Sequence, residues 1–539
     1  MSHRDIGFGD FFSRIKAIEE PGDNSAFKVR IPHGDTFTLT SKQREERALI
    51  HFAELLNARP SAVDPYWGFL NDADGTYEGV PAGYTYLFQL ASHDLVHTSL
   101  EPRAFDDYDA KPRNLRGEAL ALETVFGGGP IGCPHAYDRQ VAEGAVPLRT
   151  GLFRDDSLSV KTRHAPSGDL PRARYNEHEP EGLSEHYTEV LIADQRNDDN
   201  NILAQLTVLF HRLYNAIVCK TPVVSLGPDG ISLPPRHRAR IARLATIRIY
   251  RRILRHDLLP KLMHPDVIGL YQVDAPERQL FKTDVEALSH FGAAASRVAH
   301  SMVREKYFLR DGFPIDLRRL ISTSSLHYVK SVPTQKSWEI DWSLFFPEAG
   351  DIRDSTNWAM RLGPHIPTGL NKAEAVQSVT PKYPPGTPMR DLIAGKWAEL
   401  RSAKDLIDTF RHGGIGMGTF GEMQTSDIVN RVVQAGFQAL GVQPAGNESA
   451  GMSFVDVGDI ERTPPLTLYL TFEALSEGDR GRTYGPLGSI IIGDSFLPVF
   501  QQPDISNDSE KHAGYLEAAV FPGDPIASMP ELLRRLSPA

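Results

Sequence analysis

The sequence predicts a mainly helical protein built around one large domain, and three observations lead there. Apolar residues recur at helical spacing over the long stretches 202–217, 235–262 and 283–306. Strand-like runs are few and short, 27–31 and 489–492 being the clearest. No linker, internal repeat or low-complexity segment divides the 539 residues, although that length alone would suggest several domains. The organisation read from this is a lead-in over 1–60, a main domain over 61–505 and a C-terminal extension over 506–539.

In chain order, 27–31 alternates as a strand does, and 43–56 has the pattern of a helix. The stretch 60–190 is rich in Gly, Pro and Asp, with 127–130 and 164–181 expected as loops. Its exception is 86–95, an apolar helical pattern carrying Gln89 and His93. From Asp198 the long helical patterns begin. The third of them contains Gly292, Ala293, Ala294, Ala295 and Ala299. Shorter helices are expected around Asn357 and over 389–409, 425–440 and 465–475, and a strand over 489–492.

With 41% hydrophobic and 24% charged residues the composition is that of an ordinary globular protein. A net charge of −11 gives no footprint for nucleic acid. The basic stretches 236–243 and 248–255 read as solvated faces of amphipathic helices. Cys133 and Cys219 make no disulfide framework, and Cys133 with His135 lacks the second half of any zinc pattern. The N-terminus has no apolar signal region, so a cytoplasmic protein is expected, with leaderless export compatible. No run of about 18 or more apolar residues predicts a spanning helix, and no sequence signal fixes an oligomeric state.

Gln89 and His93 stand four residues apart, so on a helix both project from one face. They can offer a proton acceptor and a hydrogen-bonding amide to a small ligand. A histidine on an apolar helix is more often a satisfied core residue. Two further segments change the balance. Arg196 lies among Asp194, Asp198 and Asp199 at the head of a long helix, where it also reads as an ion-pair cluster. His300 sits on the small-residue helix, whose short side chains would let a flat macrocycle approach. A histidine there suits an axial ligand to haem iron.

The motifs together resemble an animal-type haem peroxidase of the peroxidase–cyclooxygenase superfamily. Gln89 to Asp94 is similar to the family's distal Gln-x-x-x-His-Asp, and the 122–130 stretch to its Leu-Asp-Ser-Val-Tyr-Gly loop. The 193–201 stretch resembles its Asp-x-Arg-x-x-Glu segment, and Arg297 with His300 its proximal Arg-x-x-His. Ile366-Pro-Thr-Gly369 after Asn357, then 463–473 and 485–488, follow in family order. The resemblance implies a large helical fold with haem between a distal and a proximal helix. It implies that His93 moves the proton of hydrogen peroxide, that Arg196 stabilises the charge of O–O cleavage, and that Gln89 holds the distal ligand. His300 would ligate iron, Asn357 would accept a hydrogen bond from its other ring nitrogen, and Arg297 and Arg361 would line the haem edge. The partners implied are hydrogen peroxide and a small reducing donor of the phenol, bromide, iodide or thiocyanate class.

Departures from the pattern matter as much. The aspartate expected before the distal histidine is Ser92, the expected glutamate is Asp199, and the methionine of some halide-oxidising members is Asn200. Haem b is therefore expected to be held mainly non-covalently, with at most one partial ester through Asp199, and chloride oxidation is not expected. Of the family's calcium site Asp94 remains, with Glu123 as a further carboxylate, while the expected loop threonine and aspartate fall at Gly117 and Ala121. Calcium, which takes 6–8 oxygen ligands, is a doubtful expectation. The arginine expected three residues after Asn357 is Met360, with Arg361 adjacent.

Two other functions compete. A fatty-acid dioxygenase of the same superfamily would need a tyrosine three residues before the iron ligand. That position is Arg297, and Tyr307 falls on the other side of His300. A catalytically silent haem-binding protein would have no need of Gln89, His93, Arg196, His300 and Asn357 together.

Overall fold

The structure is a computed structural model. It describes residues 16–17, 27–30, 36–39, 49–50, 52–54, 56, 79–97, 114, 116, 120–138, 146–153, 167–172, 189–220, 235–272, 281–312, 314–322, 324, 333–370, 386–412, 423–441, 463–501 and 507–536. Among these the chain is mainly helical, with a three-stranded and two two-stranded antiparallel sheets. Two compact units are each assembled from separated segments of chain. One comprises Phe69–Leu288, Val303–Met360 and Ile492–Ala539; the other comprises Met1–Gly68, Ser289–Met302 and Arg361–Ile491.

In the first unit the Gly83–Leu95 helix packs on Asn201–Lys220, which packs in turn on Pro235–Ile253. The apolar spacing along Asn201–Lys220 buries Ile202, Leu203, Leu206, Leu209, Phe210, Leu213 and Ile217, as its periodicity predicts. Each such side chain contributes roughly 1.5–3 kcal/mol by leaving water. Asn200 starts the helix, its Oδ1 accepting from the N–H groups of Ile202 and Leu203 at 3.1 and 2.9 Å. This helix is long and apolar enough to cross a membrane, which the sequence did not lead us to expect. However, 78% of its apolar window is buried within the protein.

Pro235 opens the next helix, where a missing N–H costs nothing. The basic residues on it do more than face water. Arg243 lies 5.4 Å over the Phe126 ring, Arg251 donates to Leu120 O, and Arg252 pairs with Glu517 at 2.6 Å. Glu517 belongs to Asn507–Val520, which lies along Pro235–Ile253, so the C-terminal extension is packed into this unit. Asp257 gathers the Tyr84 hydroxyl, the Lys261 ammonium and the N–H of Met529, joining the Gly83–Leu95 helix to the C-terminal segment. At Gly83 a Cβ would fall 2.5 Å from Phe346 Cζ and 2.6 Å from Phe345 O, so only glycine permits that approach.

The second unit holds the strands Lys16–Ala17, Phe27–Arg30 and Thr36–Leu39, the middle one where alternation predicts it. Residues 49–50, 52–54 and 56 are helical, within the expected 43–56. Thr425–Ala439 packs on Leu466–Glu477 so closely that a Cβ at Gly436 would fall 2.1 Å from the Phe472 ring. The single helix expected over 389–409 is two, Thr387–Trp397 and Ala403–His412, parted where Glu399 adopts φ 49.

Other expectations need correcting. The run 489–492 is not a strand but lies inside the helix Pro486–Gln501. Its β-branched side chains suggested a strand. Pro486 at the helix start and Glu473, whose carboxylate accepts from the N–H groups of Leu487 and Gly488, decide for a helix. Asn357 is not helical: its carbonyl accepts from the N–H of Ala82, and Trp358 forms a bridge with Pro81. The 127–130 loop runs into a short turn of helix, Gly129–Gly132. Of the expected loop 164–181, the strand Ser167–Asp169 and residues 170–172 are described, and the rest lies outside the described residues.

The stretch expected as one helix over 283–306 is Asp284–His290, a wider π turn Phe291–Ala295, Ser296–Val298, and a tight final turn Ala299–Met302. A π turn leaves carbonyls without their usual helical partners. Side chains supply them: Arg297 and Ser296 donate to Gly292 O, Thr467 to Ala293 O and Tyr484 to Ala295 O.

Candidate active site

His93 lies in the last turn of Gly83–Leu95, with Gln89 one turn before it. Gln89, Ser92 and His93 are the positions of this helix that are not fully buried, so one face is open. Ser92 turns back onto its own helix, donating to Phe88 O at 2.7 Å. It has no carboxylate with which to esterify haem.

Opposite this face stands the tight turn Gln195–Asp198 and the residues that follow it. Asn197 Oδ1 lies 3.1 Å from His93 Nδ1, while its Nδ2 donates to Thr124 O at 3.3 Å. A carbonyl oxygen only accepts, so the amide nitrogen must face Thr124 and the amide oxygen must face the imidazole. His93 Nδ1 therefore carries the proton and Nε2 keeps its lone pair. Nε2 lies 4.0 Å from Asp199 Oδ2. Gln89 lies between Asp199 and Asn200, donating to Asp199 Oδ2 and accepting from Asn200 Nδ2, both at 3.5 Å. Burial first, and then the Arg196 cation, lower the His93 pKa to about 3, so the ring is neutral.

Arg196 does not point its whole guanidinium to the open face. Nη2 donates to His93 O, Nη1 to Val96 O, and Nε and Nη2 to Asp194. One N–H of Nη1 is left without a partner among the described residues. Arg116 joins the cluster through His93 O and Asp194. Two cations thus cap the last carbonyls of the His93 helix, where the helix dipole favours positive charge. Against the upward push of burial, Arg196 holds the Asp194 carboxyl below the usual carboxylate range.

The Asp94 carboxylate is fully buried and accepts from the N–H groups of Leu122 and Thr124 at 2.8 and 3.1 Å. Burial raises its pKa to about 6. Glu123 lies between the two residues whose N–H groups Asp94 accepts from, yet no group of three or more His, Cys, Asp or Glu side chains is placed to hold a metal among the described residues. This donor set does not fit calcium. Asp94 instead ties the His93 helix directly to the 120–126 turn, where Leu120 and Leu122 both adopt φ 51. Cys133 Sγ lies 3.3 Å from His135 Nε2, which also meets Ile192 O.

His300, in the other unit, occupies the tight turn that ends the small-residue helix, and its side chain is 38% exposed. Its Nδ1 lies 2.7 Å from Asp391 Oδ2 in the Thr387–Trp397 helix. The other oxygen of Asp391 accepts from Arg297 Nη1 at 2.9 Å. His300 Nε2 has no partner among the described residues. An imidazole anchored at one nitrogen and available at the other fits an axial ligand to haem iron. The hydrogen bond expected from Asn357 is made by Asp391 instead. The Asn357 side chain, fully buried, accepts from the N–H of Phe308 and donates to Phe308 O, clamping the backbone that follows the strand Lys306–Tyr307. Arg361 donates to Arg480 O.

Asn197 and Asp391 are the functional candidates that sequence reading missed. Asn197 directly follows Arg196, but nothing in its spacing marks it as the imidazole's anchor. Asp391 stands 91 residues beyond His300, inside an otherwise unremarkable helix.

The chain is similar to the solved structure of a fatty acid alpha-dioxygenase from Oryza sativa, with a TM-score of 0.50 and 11% identity, over 91% of this chain and 80% of that one. It is also similar to Peroxidase A from Dictyostelium discoideum, with a TM-score of 0.49 and 11% identity, over 90% of this chain and 88% of that one. No family model matches, and no curated protein does. At this identity the likeness to the rice enzyme shows the fold. That fold is mainly helical, as the sequence predicts.

Proposed function

We propose that this chain is a haem-dependent peroxidase that reduces hydrogen peroxide and oxidises a small donor. The observation that carries the reading is the tautomer of His93. Asn197 Oδ1 accepts a hydrogen bond from His93 Nδ1–H, which leaves Nε2 as an acceptor on the open face of its helix. His93 would take a proton from one peroxide oxygen and return it to the other, acid–base work typically worth about 10²–10⁴-fold in rate. Haem, when bound, supplies the electrons that break the O–O bond. His300 would hold the iron, with Asp391 and Arg297 fixing its ring. Gln89 would orient the peroxide, and the unengaged N–H of Arg196 would offset negative charge.

The fold also serves a fatty acid alpha-dioxygenase. The residue three before His300, which that chemistry would use as a tyrosyl radical, is Arg297 here, engaged by Asp391 and Gly292 O. This favours the peroxidase reading.

The test is an absorption spectrum of the haem-loaded protein before and after one equivalent of hydrogen peroxide, with His93→Ala alongside. A spectral change that reverses on adding a donor, and is slowed about 10²–10⁴-fold by His93→Ala, is expected. An unaltered rate in the variant, or failure to take up haem, would sink the proposal.

A further inference from the structure

We infer that Asp94 is a positioning residue for His93, setting which ring nitrogen carries the proton by way of the Thr124 backbone and the Asn197 amide. The links are hydrogen bonds. The fully buried Asp94 carboxylate accepts from Leu122 N–H through Oδ2 at 2.8 Å and from Thr124 N–H through Oδ1 at 3.1 Å. Thr124 O accepts from Asn197 Nδ2 at 3.3 Å, and Asn197 Oδ1 accepts from His93 Nδ1–H at 3.1 Å. His93 and Asp94 are neighbours on the Gly83–Leu95 helix, so the series closes on itself. Successive helical residues point about 100° apart. The imidazole thereby keeps the open face while the next side chain reaches the 120–126 turn.

That turn needs a holder. Leu120 and Leu122 both stand at φ 51, a left-handed conformation that a bulky side chain rarely adopts. The helix that follows, Glu123–Phe126, is a single turn. Its backbone bonds use the carbonyls of Leu122 and Glu123, which leaves Thr124 O to Asn197. The Thr124 hydroxyl is buried without a hydrogen-bond partner among the described residues, so it does not fix the residue either. The carbonyl is aimed by how the turn is held, and the side chain that takes both Leu122 N–H and Thr124 N–H is Asp94. A carboxylate receives two N–H groups at once, one on each oxygen. An amide in its place offers one oxygen and sets its own N–H against the second donor.

The role goes beyond bracing. A Thr124 carbonyl that drifts releases the Asn197 amide, which is then able to turn and present its N–H side to Nδ1. The imidazole proton moves to Nε2, and His93 no longer offers an acceptor on the open face.

The experiment records the ring-nitrogen resonances of His93 in nitrogen-15-labelled apoprotein at pH 7, for the wild type and for Asp94→Asn, with His93→Gln giving the assignment. Imidazolium would show two protonated nitrogens, so an effect of the lost charge is told apart from a change of tautomer. The wild type is expected to hold the proton at Nδ1, and Asp94→Asn to populate both tautomers. A second readout, in haem-loaded protein, rests on the peroxidase reading. There Asp94→Asn is expected to slow the peroxide reaction about tenfold. In an Asn197→Ala background it should slow it by less than about twofold, because the path already lacks its last link. A third readout needs no variant to fold: in wild-type apoprotein the Asn197 Nδ2 protons and the Leu122 and Thr124 N–H groups are expected to exchange with solvent together.

A folded Asp94→Asn protein whose His93 keeps the proton at Nδ1 alone overturns the inference. So does equal slowing by Asp94→Asn in the wild-type and Asn197→Ala backgrounds, and so do Asn197 protons that exchange freely while the two N–H groups stay protected. Protein that takes up no haem overturns the peroxidase reading, while the tautomer and exchange results still decide for or against Asp94.

Discussion

Asn197 Oδ1 stands 3.1 Å from His93 Nδ1, and the same amide is pinned through its nitrogen to Thr124 O. One short side chain thereby fixes both the rotation of the imidazole and the nitrogen that carries its proton. Replacing it with alanine leaves the ring free to present N–H at Nε2. Asn197→Ala is expected to slow the reaction with peroxide roughly 10- to 100-fold, the usual effect of removing a group that orients a histidine. Asn197→Asp should favour the imidazolium and move the acid fall-off of the rate to higher pH. Stopped-flow absorption across pH 3–8 checks both; equal profiles for all three proteins would show that Asn197 has no such role.

The neutrality of His93 has its own pH signature. Its pKa is lowered to about 3, first by burial and then by Arg196. The peroxide rate should therefore hold level from pH 8 down to about pH 4 and fall only near pH 3, not at the pH near 6.5 of an ordinary histidine. Stability follows the same group. The unfolded chain binds a proton at His93 below pH 6.5 that the folded chain refuses down to about 3, so stability is lost as pH falls through that window. By pH 4.5 the loss from this residue is about 3 kcal/mol. Urea unfolding of the apoprotein at pH 7 and 4.5 should show His93→Gln losing less stability between the two than the wild type does.

Asp391 should act on haem through His300. Its oxygens lie 2.7 Å from the imidazole and 2.9 Å from Arg297. Asp391→Ala removes the anchor and is expected to weaken haem binding about 10–100-fold. Asp391→Asn keeps an acceptor without its charge. The haem affinity should recover, while the ferric–ferrous potential rises because a neutral partner makes the imidazole a weaker donor. Haem titration and spectroelectrochemistry separate the two effects, and a potential identical to wild type in Asp391→Asn would exclude the electronic role.

The long helices were legible in the sequence because their apolar spacing persists over several turns, as along Asn201–Lys220. Gln89, His93, Arg196 and Asp199 could be found because helical spacing or a tight turn holds them close in sequence. What escaped depended on contacts distant in sequence. The helix through 489–492 is decided by Glu473, 14 and 15 residues before the N–H groups it caps. Asn357 looked like a partner for His300, yet its amide is satisfied by Phe308, 49 residues away. Asp391 is close to His300 only through the packing of the Thr387–Trp397 helix. Periodicity reports a helix face; it does not report which acceptor a buried donor will find.

The turn that carries Arg196, Asn197 and Asp199 is held from behind by Arg172, and this gives the last prediction. Arg172 donates to both oxygens of Asp198 at 2.8 Å and lies 3.6 Å from Asp169, all three side chains being almost wholly buried. Asp169 is further held by the N–H and hydroxyl of Thr334. Removing the cation leaves two buried carboxylates facing each other, which typically costs about 3–5 kcal/mol. Asp169 retains its Thr334 bonds. Arg172→Met is therefore expected to lower stability to urea by that amount and to slow the peroxide reaction, because the turn presenting Asn197 loosens. The double variant Arg172→Met, Asp198→Leu removes the stranded charge along with its partner and should regain part of the stability. A single variant as stable as wild type would mean that Arg172 does not hold the turn.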